Sequence, residues 1–581
     1  MRSGSPGWGA KMDCSQAVRR GGVLLLVLGL GLVAVAARLV QLQIVEHETW
    51  AEAASRIQEQ VVELPARRGT LYGADGRALA KDVPGYALAL DNHHMTRPEL
   101  LVELLREELE FTRAEAEDKV YRSSYFTWLS RQLDLELGDR LRARARELGI
   151  RGFLFFDSWI RVYPQGPIAL PVLGTVGVDG QGLAGLELVH EESLAGRPGV
   201  YRVLRGRDGQ VYSLDVADSG AAGEDLKLTL DPDIQRISEE EIAAGVEKYN
   251  AERGFAIVLN PQNGELLALA QAPTFDPEQA DANPDHLQPW AVTQMFEPGS
   301  TFKALAGLAA MDAGLVQPDD VFHADSPIMV MGVPLRNANP SVNYGPVTFE
   351  RGLAQSLNVV FVQVGQRLGI DSMYSYLTKM GLGQPTGIGL PGEAAGILRP
   401  VEEWTELQLA TSSYGQGVAV TGVQLAAAFG VLAGDGLLHQ AHVVQGAGGE
   451  PVARVASPEA AYEMRAILRK AVDPSRWVLP SRFADVPGYG IAGKSGTGEK
   501  ARPGEGYVSG HYISGFGAFF PWEQPEYVVL VVYDEIDASE GMARVWGAHS
   551  AGPTVARIVE GMDAAGVVSP YEPTTDEGRS G

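Results

Sequence analysis

Apolar residues run without a charge from Gly21 to Ala37, and the run resumes past Arg38 through Leu39, Val40 and Leu42. A bilayer crossing needs roughly 17–25 apolar residues, so the stretch suffices if the Arg38 side chain reaches back to the headgroups. Lys11, Arg19 and Arg20 precede it, and Glu46, Glu48 and Glu52 follow it. Cationic flanks stay in the cytoplasm. The pattern predicts a cytoplasmic tail over 1–20, a single membrane helix over 21–42 and an exported remainder. A cleaved signal sequence is the alternative, because Ala34-Val35-Ala36 resembles a cleavage site. Signal cores hold only about 7–15 apolar residues, so an uncleaved anchor is the expectation.

The pattern then changes twice. Over 43–222 polar and apolar residues mix, with three- and four-residue spacing in Arg97–Asp118 and Leu133–Leu148 that predicts helices, and glycine-rich turns such as 180–185 between them. This reads as a stalk without chemistry of its own. From 223 to 565 the apolar segments are longer. A strand ends at Leu228–Asp231 and a helix follows from Ile234 to Tyr249. Phe255–Leu259 and Leu266–Ala270 read as a hairpin about Pro261–Gly264. Phe302–Gly314 reads as a buried helix, and Tyr527–Tyr533 as a seven-residue apolar strand. Strands, then helices, then strands predict an α+β domain with a mainly antiparallel sheet. The polar residues 566–581 read as a disordered tail.

Charge and composition narrow the partners. The formal charge is −25, which argues against nucleic acid, since phosphate binding needs clustered cations. Cys14 is the single cysteine, so an internal disulfide and cysteine-based zinc sites are excluded. His439 and His442 lack a third ligand in the sequence pattern and read as surface residues.

Candidate chemistry lies in Glu297-Pro-Gly-Ser-Thr-Phe-Lys303. Pro298 and Gly299 break the chain before a helix, which puts the Ser300 hydroxyl where free N–H groups favour developing negative charge. Lys303 follows one turn later, and a lysine left neutral in a dry pocket can deprotonate a serine. Alone, this spacing is also that of an ordinary helix cap. Two further elements change that: Ser356-Leu-Asn358 at the head of the helix Val359–Leu368, and Lys494-Ser-Gly-Thr497 in a turn-rich segment ahead of strands. The three in this order match the Ser-x-x-Lys, Ser-x-Asn, Lys-Thr-Gly signature of penicillin-recognising enzymes. Ser341-Val-Asn343 repeats the second spacing but has no helix after it, so Ser356 is preferred. Gly488-Tyr-Gly-Ile-Ala-Gly-Lys-Ser495 also fits a phosphate loop literally, yet such a loop must follow a buried strand and open a helix. Gly496-Thr-Gly-Glu-Lys-Ala-Arg-Pro-Gly504 cannot form one.

With these motifs the chain resembles the class B, monofunctional penicillin-binding proteins over nearly its whole length. Pro65-Ala-Arg-Arg-Gly69 looks like that family's membrane-proximal box, and Arg161-Val-Tyr-Pro164 and Gly182-Leu-Ala-Gly-Leu-Glu187 look like its stalk motifs. Tyr414-Gly-Gln-Gly417 with Thr421 and Gln424 resembles its segment beside the active site. Ser495 stands where the family usually has Thr, and Gly73-Ala74 where it usually has Asp-Arg, which puts stalk packing in question. The resemblance implies a five-stranded transpeptidase fold acting on stem peptides that end in D-Ala-D-Ala, without metal or organic cofactor. It implies Ser300 as nucleophile, Lys303 as base, Ser356 as proton relay and Lys494 as its electrostatic support. Asn358, Ser495, Gly496 and Thr497 would bind substrate, and the N–H groups of Ser300 and Thr497 would form the oxyanion hole. β-Lactams would be covalent inhibitors, and a multi-pass membrane glycosyltransferase and division proteins would be partners. Glu297 and Asn358 look more like the septal, division-specific branch than the elongation branch. A β-lactamase using Glu393 to hydrolyse the acyl-enzyme, and a penicillin-binding sensor or scaffold, are the alternatives.

Overall fold

The computed structural model describes residues 14–50, 59–205, 211–276, 283–476, 479–502, 506–539 and 541–571. Helix α1 (Cys14–Val40) begins seven residues before the expected span, continues through one π-turn to Val45, and its apolar stretch is not buried by the other described residues. Its side chains are exposed throughout the apolar stretch, so it is long and apolar enough to cross a membrane.

The stalk is built on a long strand, Ala78–Leu90, which pairs antiparallel with Thr127–Asp134 on one side and Phe153–Val162 on the other. The predicted helix over Arg97–Asp118 is broken into Pro98–Leu109 and Arg113–Val120. Glu110 takes a positive φ of 56° that ends the first. Thr112 and Glu115 then form a reciprocal capping box that starts the second. The helix predicted from Leu133 starts at Leu135, because the Asp134 carboxylate accepts from the Glu136 and Leu137 N–H groups.

Three stretches distant in sequence converge under this sheet. The Arg68 guanidinium donates to Glu187 and sits 2.6 Å from Glu191. Arg161 donates to Glu187 at 2.8 Å, to Asp82 at 3.1 Å and to the Gly69 carbonyl at 2.8 Å. All four of Arg68, Asp82, Arg161 and Glu187 are buried. Burying so many charges is costly unless each is paired, and here each is. The Gly73-Ala74 turn packs without its usual side chains. Gly73 lies against Pro232, where an added Cβ would meet Cγ at 2.8 Å, and the Ala74 N–H donates to the Leu230 carbonyl. Arg77 supplies the charge instead, with an Nη2–Oδ2 distance of 2.6 Å to Asp233 of the next domain.

The second domain carries a five-stranded antiparallel sheet of β1 (Arg253–Leu259), β2 (Leu266–Ala272), β3 (Ala492–Arg502), β4 (Gly506–Phe520) and β5 (Tyr527–Asp537), in the order β2-β1-β5-β4-β3. Alternation decides which face each residue serves. Ala256, Val258, Val529, Val531 and Tyr533 face helices α2 (Pro232–Tyr249) and, at the C-terminal end, Ala551–Ala564. Phe255, Ile257, Leu259, Val528, Leu530 and Val532 face the larger helical layer. With both faces covered, β5 has no polar alternation, which accounts for its uniformly apolar sequence. That layer is centred on α3 (Lys303–Asp312), which is buried from Lys303 to Met311 and made of residues small enough to be packed on every side. It also includes α4 (Phe349–Ala354), α5 (Asn358–Leu368), α6 (Gly422–Ala433) and α7 (Pro458–Val472).

Three expectations are corrected. Lys494–Thr497 lies within β3, where glycines at 493 and 496 let neighbouring chains approach the edge strand. A strand after Lys494-Ser495 also removes the phosphate-loop reading. His442 is buried, its Nδ1 2.9 Å from the Gln440 carbonyl. The tail expected from Gly566 stays docked further on: Val568 is buried and the Tyr571 N–H donates to the Gly488 carbonyl. Residues 1–13 and 572–581 lie outside the described part.

Replacing Glu187 with Ala leaves Arg68 and Arg161 buried beside a hole. Removing one partner of such a cluster costs about 3–5 kcal/mol. Hydrogen exchange of stalk amides should show an opening free energy lower by that amount. Unchanged protection would contradict the assigned role of the cluster.

Candidate active site

Ser300 sits in a 3-10 turn, Gly299–Phe302, that feeds directly into α3. Two contacts fix this turn against the sheet edge. Gly299 has a φ of 53°, and a Cβ there would come within 3.0 Å of the Thr497 carbonyl. A Cβ on Gly496 would meet the Pro298 carbonyl at 2.8 Å. The helix head and β3 therefore touch backbone to backbone, which only glycine permits on both sides. On the other flank the Gly299 N–H donates to Gly415, and the Gly417 N–H donates to Glu297 Oε1 at 2.7 Å. The Tyr414–Gly417 segment is thus a wall of the cleft. Thr421 and Gln424 are not in it: they cap α6 reciprocally, and Gln424 also donates to the Gln384 and Ala395 carbonyls.

Lys303 is fully enclosed. Its Nζ lies 2.9 Å from Ser300 Oγ, 3.1 Å from Ser356 Oγ, 2.7 Å from the Ser356 carbonyl and 2.6 Å from Asn358 Oδ1. The carbonyl and the amide oxygen can only accept, so they take two N–H bonds. A neutral amine then has its lone pair left for the hydroxyls. Burial and, secondarily, the Lys494 charge push the Lys303 pKa well below the ordinary lysine range. Lys494, also buried, donates to Ser356 Oγ at 3.0 Å and to the Ser495 carbonyl at 2.8 Å. Its burial lowers its pKa to about 7. No carboxylate contributes to either shift. Ser356 Oγ therefore stands between two amines, at 3.1 and 3.0 Å, and its residue is held at a positive φ of 59°.

The cleft over these groups has a volume of about 380 Å³. Ser300, Ser356, Asn358, Ser495, Gly496 and Thr497 all line it. Thr497 Oγ1 accepts from the Gly547 N–H at 3.0 Å, which leaves its own O–H to donate into the cleft. The structure therefore brings all eight residues expected from the sequence into one place. Ser341 is not among the cleft residues, although Asn339 and Tyr344 beside it are. Glu393 is engaged elsewhere, accepting from the Thr386 N–H at 2.6 Å and the Gly387 N–H at 3.1 Å. Trp546, Gly547, Leu479 and Pro480 also line the cleft and were not picked out from the sequence. They belong to loops fixed by tertiary contacts, and no local pattern marks them.

Comparison with known proteins identifies the family. The model for the penicillin binding protein transpeptidase domain matches residues 254–560, and that for the penicillin-binding protein dimerisation domain matches 63–228. The probable peptidoglycan D,D-transpeptidase PenA of Neisseria gonorrhoeae is 32% identical over 552 residues, covering 93% of this chain and 91% of that protein. The crystal structure of penicillin binding protein 2X from Streptococcus thermophilus shares the fold, with a TM-score of 0.73 at 22% identity over 87% of this chain and 81% of that one. Penicillin binding protein 3 of Mycobacterium tuberculosis, complexed with aztreonam, superposes with a TM-score of 0.66 at 27% identity, over 88% of this chain and 98% of that one. The chain belongs to the class B penicillin-binding proteins, with a transpeptidase domain following a dimerisation domain.

Proposed function

We propose that the chain is a peptidoglycan D,D-transpeptidase that cross-links stem peptides through an acyl-Ser300 intermediate. The observation that carries this is the enclosed Lys303 amine: it lies 2.9 Å from the Ser300 hydroxyl, and its burial pushes its pKa well below the ordinary lysine range. Ser300 Oγ attacks the carbonyl between the two terminal D-Ala residues as its proton passes to Lys303 Nζ. The N–H groups of Ser300 and Thr497 receive the developing oxyanion; one such donor typically contributes on the order of 3 kcal/mol. When the C–N bond breaks, the leaving amine needs a proton, and Ser356 relays it from Lys303. Lys494 stabilises Ser356 and attracts the terminal carboxylate, with the Ser495 and Thr497 hydroxyls as donors. Asn358 and Gly496 bind the substrate backbone. The amine of a second stem peptide then attacks the acyl carbon, returning a proton through the same groups and freeing Ser300.

A β-lactam places its strained amide where the D-Ala-D-Ala bond would lie, and so acylates Ser300. Deacylation by Glu393 is disfavoured by the engagement of its carboxylate with Thr386 and Gly387. Topologically, α1 anchors the chain with its N-terminus in the cytoplasm and the cleft outside, and the domains divide near 43 and 223. Residues 43–222 carry no second catalytic cluster among the described residues, so a separate membrane glycosyltransferase supplies the glycan strands, docked on α1 and the stalk. The likeness of Glu297 and Asn358 to the septal, division-specific branch supports that branch over the elongation branch.

Fluorescent penicillin followed by peptide mapping should find the label on Ser300, and Ser300→Ala should abolish it while the protein stays folded. Undiminished labelling of that variant would overturn the assignment.

The two lysines predict a bell-shaped pH profile for the second-order acylation constant, which reports the free enzyme. Below the depressed Lys303 pKa the amine is protonated and cannot act as base, so the rate falls as pH falls. Above about 7 Lys494 loses its charge, so the rate falls as pH rises. Lys494→Arg keeps the charge at every accessible pH and should flatten the alkaline limb. An alkaline limb unchanged in that variant would place its origin outside Lys494.

A further inference from the structure

Helix α5 begins at Asn358, and the residue before it, Leu357, offers no side chain to cap it. The first N–H groups of a helix lack intrahelical acceptors and need partners from elsewhere. Here the Val359 N–H donates to Oδ1 of Asn337 at 3.0 Å, a residue on a loop 22 positions upstream. Asn337 is buried and held from both sides: its Nδ2 donates to the Ala324 carbonyl at 2.9 Å, and its own N–H donates to Ser326 Oγ at 3.2 Å. The residue before it, Arg336, turns its carbonyl to accept from Asn358 Nδ2 at 2.9 Å.

These bonds have a directional consequence. An Asn amide has a donor end and an acceptor end, and only one orientation satisfies a given pair of neighbours. With Nδ2 tied to the Arg336 carbonyl, Asn358 Oδ1 faces Lys303 Nζ at 2.6 Å. If the Arg336–Asn337 segment moved, Asn358 could rotate its NH2 toward the lysine. Lys303 would then lose an obligate acceptor, and its lone pair would no longer be confined to the hydroxyls. Asn337 does not line the cleft, so it acts only through Asn358.

We infer that Asn337 is a positioning residue for acyl transfer: it caps α5 from a distant loop and, with the adjoining Arg336 carbonyl, fixes the orientation of the Asn358 amide against Lys303. The inference rests on the acyl-serine reading above.

The test is stopped-flow acylation of the full-length protein by a chromogenic β-lactam, separating the pre-covalent dissociation constant from the acylation rate constant per labelled molecule. Misplacing a group that orients the base can cost on the order of 100-fold. Asn337→Ala should lower the acylation rate constant by about 10- to 100-fold while the dissociation constant changes less than about threefold. Asn337→Gln, which shifts the same amide by one methylene, should be slow and folded, and serves if Asn337→Ala does not fold. A purely architectural role would reduce the fraction of labelled protein or its melting temperature but leave the rate constant per labelled molecule unchanged; that result in Asn337→Ala or Asn337→Gln would overturn the inference. Failure of the acyl-serine reading would look different, as a parent protein that forms no Ser300 adduct.

Discussion

A lysine amine sealed from water with no carboxylate to pair with cannot hold its proton at the ordinary lysine pKa, and that constraint on Lys303 organises the site. The amine must instead satisfy itself with neutral oxygens. Two of them, the Ser356 carbonyl and Asn358 Oδ1, are pure acceptors and take its N–H bonds. The remaining neighbours are hydroxyls, and one of these is Ser300. A base is made here by exclusion of water and of countercharge, not by a partner carboxylate as in a serine triad. The formal charge of −25 for the chain makes the absence of carboxylates from these two shifts more telling, since acidic side chains abound elsewhere.

Keeping Lys303 dry sets conditions on the rest of the fold. Helix α3 must be buried on every side, which explains its run of Ala, Gly and Leu. Its head must then reach the sheet edge, and Gly299 and Gly496 let the two backbones touch there. Because β3 is an edge strand, its outer side is free to face a substrate rather than another strand. The second lysine arrives on that strand and meets Ser356 from the opposite side. Charges are handled differently in the stalk, where Arg68, Arg161, Asp82 and Glu187 are buried together as compensated pairs. One buried cluster sets opposite charges together; the other leaves its cations without a carboxylate.

Much of this was legible in the sequence because the decisive features are local. The nucleophile and its base are one helical turn apart, and the period-2 strands and the apolar span identify themselves. The apolar β5 was readable as a strand, though not that both its faces are covered. What escaped depends on contacts between distant segments. Lys494–Thr497 looked like a turn because its glycines were read as breakers, whereas they admit a neighbouring backbone to a strand. Arg97–Asp118 kept helical spacing across a break that Glu110 and the Thr112–Glu115 capping box impose. Trp546 and Leu479 reach the cleft on loops with no periodicity. Asn337 carries no motif at all, and its role appears only once α5 is seen to start without a cap of its own.

Direct titration of the Lys303 amine tests the central claim most closely. Protein labelled with ε-nitrogen-15 and ε-carbon-13 lysine would be followed by NMR across pH, with the Lys303 resonance assigned by its loss in Lys303→Arg. The account predicts a Lys303 midpoint well below the ordinary value of about 10.4. A midpoint at that ordinary value would mean that Lys303 is protonated when acylation occurs, and would contradict its role as the base.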